Sequence, residues 1–350
     1  MKRSRMLAVA AAGAGAIAAT ALAASDVKTG PSSSQSPYVV PVESMPPGIS
    51  TRSILTVGDT PQGSSYQMVG IPDGLGAYDN GDNTFTLLMN HELGPTEGVV
   101  RAHGATGAFV SKWTIDKETL TVLSGSDLVK RVFTAQNDGT YVLSTTAFRR
   151  LCSADLPAKA AFWNAATGKG YDGRIFMNGE EFGAEGRAFA HVVNGSSAGD
   201  SYDLPYLGRF GWENSVAHPA PGDRTVVVGL DDTSPSASVP NNGQVYVYAG
   251  DKSDTGSPVT RAGLTDGKLY GIQVLAGSGG SALATEVSKT WTKGDAFRFA
   301  SIDVSADRKD AAGSWSGAQL QTGSVAKGVT GFQRPRTGRG IRTTRATSTS

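Results

Sequence analysis

The chain is predicted to be all-β, a β-propeller, and three observations carry that expectation. Glycine supplies 45 of its 350 residues, well above the ~7% of ordinary sequences, which provides for many tight turns. Aromatic and β-branched residues alternate: in Gln244 to Gly250, Val245 and Val247 interleave with Tyr246 and Tyr248, a period of two that belongs to strands. Finally, a unit recurs in which an apolar run ends in an acid and, after a loop, an alternating strand follows. Degenerate units of this kind suggest propeller blades, whose inner strands bring their ends to one mouth of a central channel. A β-sandwich, the rival architecture, would scatter the same acids along its edges.

Taken in order, residues 1–24 read as a signal peptide. Lys2, Arg3 and Arg5 precede an Ala-rich apolar stretch that ends in Ala21-Leu22-Ala23, a cleavage pattern. Ser4 interrupts the arginines, so a twin-arginine signal is matched imperfectly and the general secretory route better. The expected location is secreted or extracytoplasmic. Residues 25–50 are rich in Ser, Pro and Gly and read as a flexible linker or arm. The propeller is expected over residues 51–335. Its acid-ended runs are Asn83 to Glu92, Gly173 to Glu181 and Arg224 to Asp232, each assigned as an inner strand. The alternating strands that follow them are Phe109 to Asp116, Arg187 to Asn194 and Gln244 to Gly250. Leu156 to Ala166 is the one helix-like stretch.

Charge narrows the partners. With 32 basic and 31 acidic residues the formal net charge is +1, which argues against nucleic acid or an anionic membrane as partner. The four histidines show no HExxH spacing, no Gly-x-Ser-x-Gly elbow occurs, and no phosphate-binding loop is present. Zinc-hydrolase and serine-esterase chemistry are therefore unsupported.

Cys152 is the only cysteine, so it cannot form an internal disulfide. A free cysteine is commonly a buried packing residue, and an acid pair after a strand is commonly a solvated turn. Repetition shifts that balance: Glu92, Glu180 and Glu181, and Asp231 and Asp232 close three runs, and Glu213 stands beside Asn214. Adjacent like charges repel unless water or a cation compensates. One soft thiolate among many hard oxygens describes a mixed site, with a transition metal on sulfur and calcium on oxygen.

The ordered set Arg150 to Leu156, Gly173 to Glu181, Gly211-Trp212-Glu213-Asn214 and Gly229 to Asp232 with Gln244 to Tyr248 resembles the PhoX-type alkaline phosphatases, over about Asn83 to Pro335. The resemblance implies an exported, monomeric β-propeller that hydrolyses small phosphoric esters with an iron–calcium cluster activating an oxygen nucleophile. Carried over, Cys152 would bind iron, Glu213 would bridge metals, and Glu180 or Glu181 would hold calcium. Glu92 would be a further calcium ligand, with Asp231 or Asp232 near the cluster. Asn90, Asn178 and Arg334 would face the phosphate. Trp212 departs from the family's usual histidine, and Ser153-Ala154-Asp155 from its Ala-Gly-Gly. The alternative is a non-catalytic extracellular calcium-binding propeller.

Residues 336–350 hold no acid and no aromatic residue. One inserted base after the codon of Pro335 converts them, for one choice of codons, into Glu-Asp-Gly-Ala-Trp-Asp-Pro-Asn-Asn-Pro-Arg-Asp-Phe-Tyr-Phe. That completes the family's Arg-Pro-Glu motif after Arg334-Pro335. A disordered tail from a lost reading frame is therefore expected, with the closing blades missing and this form of the chain inactive.

Overall fold

A computed structural model of the chain describes residues 26–42, 46, 48–233, 242–276, 280–285 and 296–336. The signal peptide and all but the first residue of the basic tail lie outside the described residues. Three sheets, antiparallel except for one parallel pairing, make up the body. The first is the meander β3 (Pro72–Asp79), β4 (Thr84–His91), β5 (Phe109–Asp116) and β6 (Val122–Asp127). The second runs β9 (Leu151–Asp155), β12 (Ile175–Glu180), β13 (Ala188–Val192) and β14 (Asp200–Asp203). It is extended by the hairpin β7 (Arg131–Ala135) and β8 (Tyr141–Ser144), with β7 parallel to β14. The third is β15 (Trp212–Ala217), β16 (Arg224–Asp231), β17 (Val245–Asp251) and β18 (Lys268–Ala276), with β19 (Ser281–Ala282) and β20 (Arg298–Asp303) both on β18. Each core meander of four strands is a propeller blade. Three are present among the described residues, short of the roughly four that a small closed ring takes.

The first strands of the three blades, β3, β9 and β15, lie together, with β9 packed between the other two. The acid-ended runs β4, β12 and β16 are thus the second strands of their sheets, one place further out than expected. The reason is visible in β3 and β9: Pro72-Asp73-Gly74 and Cys152-Ser153-Ala154-Asp155 are too polar and small to announce an inner strand. Close packing requires that composition. A Cβ on Gly74 would sit 2.4 Å from Ala154 N, so only glycine lets β3 approach β9 there.

Apolar clusters seal the blades to one another. Leu88 and Val110 of the first sheet meet Phe148, Leu151, Phe176 and Phe189. Met177 and Ala190 meet Trp212, Tyr246 and Tyr248 between the second and third. Burying one such side chain contributes about 1.5–3 kcal/mol, so the sheets are held as one body. At the ends of the segment expected to be a flexible linker or arm, β1 (Asp26–Thr29) pairs in parallel with β2 (Ser50–Ser53). Leu156 to Ala166 holds only a short 3₁₀ turn at Lys159–Ala161, followed by the hairpin of β10 (Trp163–Asn164) and β11 (Lys169–Gly170). Among the described residues the α-helices are the single-turn α1 (Pro258–Arg261) and the longer α2 (Gly317–Ala326). Ser316 Oγ accepts from Gln319 N at its start, and Glu185 Oε1 takes Gly317 N and Ala318 N, a doubly capped N-terminus. No helix among the described residues is long and apolar enough to cross a membrane.

Candidate metal centre

The site forms where β9 lies between its neighbours. Arg150, immediately before β9, has φ +41°, a left-handed conformation that non-glycine residues rarely adopt and that clusters at functional sites. The Cys152 side chain is 4% exposed, and its Sγ donates to Glu181 Oε2 at 2.8 Å. Burial, and next the carboxylates of Glu181 and Glu92, push the thiol far above its ordinary range. Only a cation could hold it as a thiolate here.

Two donor groups share this sulfur. One is Asp73, Glu92 and Cys152; the other is Cys152, Glu181 and Glu213. Within each, the ligand atoms lie within 4.8 Å of one another. Burial first, and neighbouring acids after it, raise the carboxyls: Asp73 by burial and Glu92, and Glu213 up to about 7 by burial and Glu181. Burial likewise raises Glu181. Negative charge is therefore under-compensated at the mouth, which is the electrostatic condition for binding cations.

Arginines supply part of the missing charge. Arg150 donates to Glu92 Oε1 through Nε (2.9 Å) and Nη2 (2.6 Å), and through Nη2 to Glu181 Oε2 at 3.0 Å. Arg334, also left-handed at φ +54°, forks onto Asp232 at 2.6 and 2.7 Å and lies 3.6 Å from Glu181. Arg336 joins it on Asp232 Oδ2 at 2.6 Å. Burial favours a neutral Asp232, but these hydrogen bonds outweigh it and hold the carboxyl below its ordinary value.

The structure brings together Cys152, Glu181, Glu213, Glu92, Asp232 and Arg334, all expected from the sequence. It places the others elsewhere. Glu180 is fully buried and takes its donors from Arg149 N and Nη2 (3.0 Å each) and Arg187 Nε and Nη2 (2.9 and 2.7 Å). It is a structural anion at the last position of β12, whereas Glu181, just past the strand end, reaches Cys152 and Arg150. Asp231 is buried too, and its Oδ1 accepts from Thr233 N at 2.9 Å and from the Thr233 hydroxyl. Asn90 and Asn178 are fully buried and hydrogen-bonded to each other; neither faces the mouth. Two groups at the site are not evident from sequence. Asp73 sits in a Pro-Asp-Gly sequence that reads as a turn, and Arg150 stands out only as part of a motif. Arg150 lies just outside β9 with a left-handed backbone, so no strand periodicity marks it.

No family model matches the sequence, and no curated protein matches it. Among solved structures the chain is similar to Pseudomonas fluorescens PhoX, determined in complex with vanadate, a transition state analogue. The likeness has a TM-score of 0.37 at 15% identity and covers 76% of this chain. The chain spans 55% of the length of that neighbour.

Proposed function

We propose that this protein is an exported, metal-dependent hydrolase of small phosphoric esters that works with iron and calcium. The observation that carries the reading is the pair of donor groups joined at Cys152. A thiolate suits iron, and surrounding carboxylates suit calcium, so the donor set fits the cations that the motif resemblance implies. Cys152, Glu181 and Glu213 would hold the softer metal, and Asp73 and Glu92 the harder one. Bound there, the cations would supply Lewis-acid charge for a phosphoryl group and its attacking oxygen.

The chain's own residues orient the ester. Arg334 already presents a forked pair of N–H donors to the two oxygens of Asp232, a geometry that a phosphate's nonbridging oxygens also offer, and Arg150 converges two donors on one oxygen of Glu92. Ser153 Oγ is committed to the carbonyl of Glu213, so this hydroxyl is not poised as a nucleophile, and water supplies the oxygen. The decisive experiment measures iron and calcium content together with p-nitrophenyl phosphate turnover, before and after chelation. It is run on the 350-residue chain and on a version with one base inserted after the codon of Pro335. Metal-dependent turnover in the second version supports the reading.

A second reading is favoured by the placement of Asn90 and Asn178. With both amides inside the protein, the mouth has lost two expected phosphate donors, which suits a calcium-binding propeller without catalysis. Calcium without iron, and no turnover in either version, would establish that reading and overturn the first.

A further inference from the structure

Strand β9 departs from regular pairing where the cysteine sits. Leu151 pairs with Glu180 and Ala154 with Asn178, so Cys152 and Ser153 together oppose the single Gly179. This is a β-bulge, which unpairs backbone groups and re-aims side chains. The freed carbonyls must find other donors. Asn90 Nδ2 donates to Cys152 O at 2.6 Å and to Ser153 O at 3.3 Å. Its Oδ1 accepts from Asn178 Nδ2 at 2.9 Å, and Asn178 Oδ1 meets His191 Nε2 at 2.8 Å. All three side chains are fully buried.

Two carbonyl acceptors at one end fix every member of this chain. Asn90 must turn its amide nitrogen to them, Asn178 must then donate to Asn90, and His191 must carry its proton on Nε2. Burial, with His103 adding to it, holds His191 neutral by drawing its pKa down to about 3. Its Nδ1 has no hydrogen-bond partner among the described residues. Three buried polar side chains are costly to desolvate, and apolar residues would fill the same space without that cost. What the polar chain adds is a grip on the bulge. Across from it, a Cβ on Gly179 would lie 2.3 Å from Trp212 Cβ, so the opposing strand has no room to adjust instead.

We propose that Asn90, Asn178 and His191 form a positioning relay that locks the Cys152–Ser153 bulge and aims the Cys152 thiol at Glu181. The proposal deepens the metal-site reading, on which its importance for ligation rests. None of the three residues touches the mouth; they act through the backbone of β9.

Two readouts test it. One is the rate of Cys152 alkylation by iodoacetamide in metal-free protein. The other is the sulfur-to-metal absorption of protein titrated with Co(II) alone. Asn90→Ala and His191→Phe should each change the alkylation rate at least tenfold, equivalent to about 1.4 kcal/mol, and weaken the cobalt band. His191→Gln, which keeps an N–H donor, should restore both toward wild type. A general loss of packing would move the Gln and Phe variants alike. Wild-type rates and spectra in folded Asn90→Ala and His191→Phe overturn the relay, as does equal behaviour of the two His191 variants. Should Asn90→Ala fail to fold, the His191 pair decides, since that ring is two side chains removed from the cysteine. If Co(II) gives no sulfur band even in wild type, the ligand role of Cys152 falls, and the alkylation rates alone decide the relay.

Discussion

Glu180 and Glu181 are neighbours in sequence with opposite predicted responses to losing a charge. Glu180 has no exposed side-chain surface and sits between the guanidinium groups of Arg149 and Arg187, which are 26% and 11% exposed. In Glu180→Gln one carboxylate oxygen becomes an NH₂ group facing those cations, and the compensating charge is gone. Breaking a buried pair in this way costs about 3–5 kcal/mol. Glu181 is the reverse case. Its carboxyl is raised by burial, so the fold disfavours its charge, and Arg150, its partner, is 47% exposed. Glu181→Gln should leave metal-free protein as stable as wild type or more so, while metal binding is lost. Urea titration of metal-free protein, with Co(II) binding followed by its sulfur-to-metal band, separates the two. Wild-type stability in Glu180→Gln, or a loss in Glu181→Gln as large as that expected for Glu180→Gln, would refute the assignment of these two residues.

Gly179→Ala should cost about 1–3 kcal/mol by overpacking, because its new methyl group meets Trp212 at 2.3 Å; thermal melting checks this. Asp155, whose carboxyl burial raises to about 6, folds more readily when protonated. Its contribution is full below pH ~4 and is lost as pH rises through about 6. Each tenfold gain in proton affinity on folding is worth about 1.4 kcal/mol. Asp155→Asn should therefore match wild type at pH 3.5 and exceed it at pH 7 in urea titrations at the two pH values. Arg336 donates to Asp232 at 2.6 Å, placing a cation at the mouth. Arg336→Glu should strengthen calcium binding at least tenfold, about 1.4 kcal/mol, in a calorimetric titration.

The alternating strands were legible because a period of two is a local signal. Phe109–Asp116 has the bounds expected of it, and Val245–Asp251 lies within one residue of its own. The inner strands were not legible. β3 and β9 owe their places to glycine contacts and to the bulge at Cys152, which are properties of two strands together. Helix α2 is hard to see in the sequence because Gly317, Thr322, Gly323 and Ser324 make it a weak helix former. Its caps come partly from Glu185, far away in the chain. At the site, Cys152 and Glu213 announce themselves by their residue types. The choice between Glu180 and Glu181, and between Asp231 and Asp232, depends on where the strand stops: Glu180 and Asp231 are the last strand residues, and Glu181 and Asp232 lie just past them. Asn90 and Asn178 resemble donors to a ligand because nothing local shows that their amides are used by β9 and His191.

Cys152 joins the two donor groups proposed to hold metal. The visible absorption spectrum of protein loaded with iron and calcium, compared between wild type and Cys152→Ser, tests it. A sulfur-to-iron band present in wild type and absent from a folded Cys152→Ser that still binds calcium is the predicted result. Identical spectra and equal iron content in the two proteins would contradict it and return Cys152 to the role of a buried packing residue.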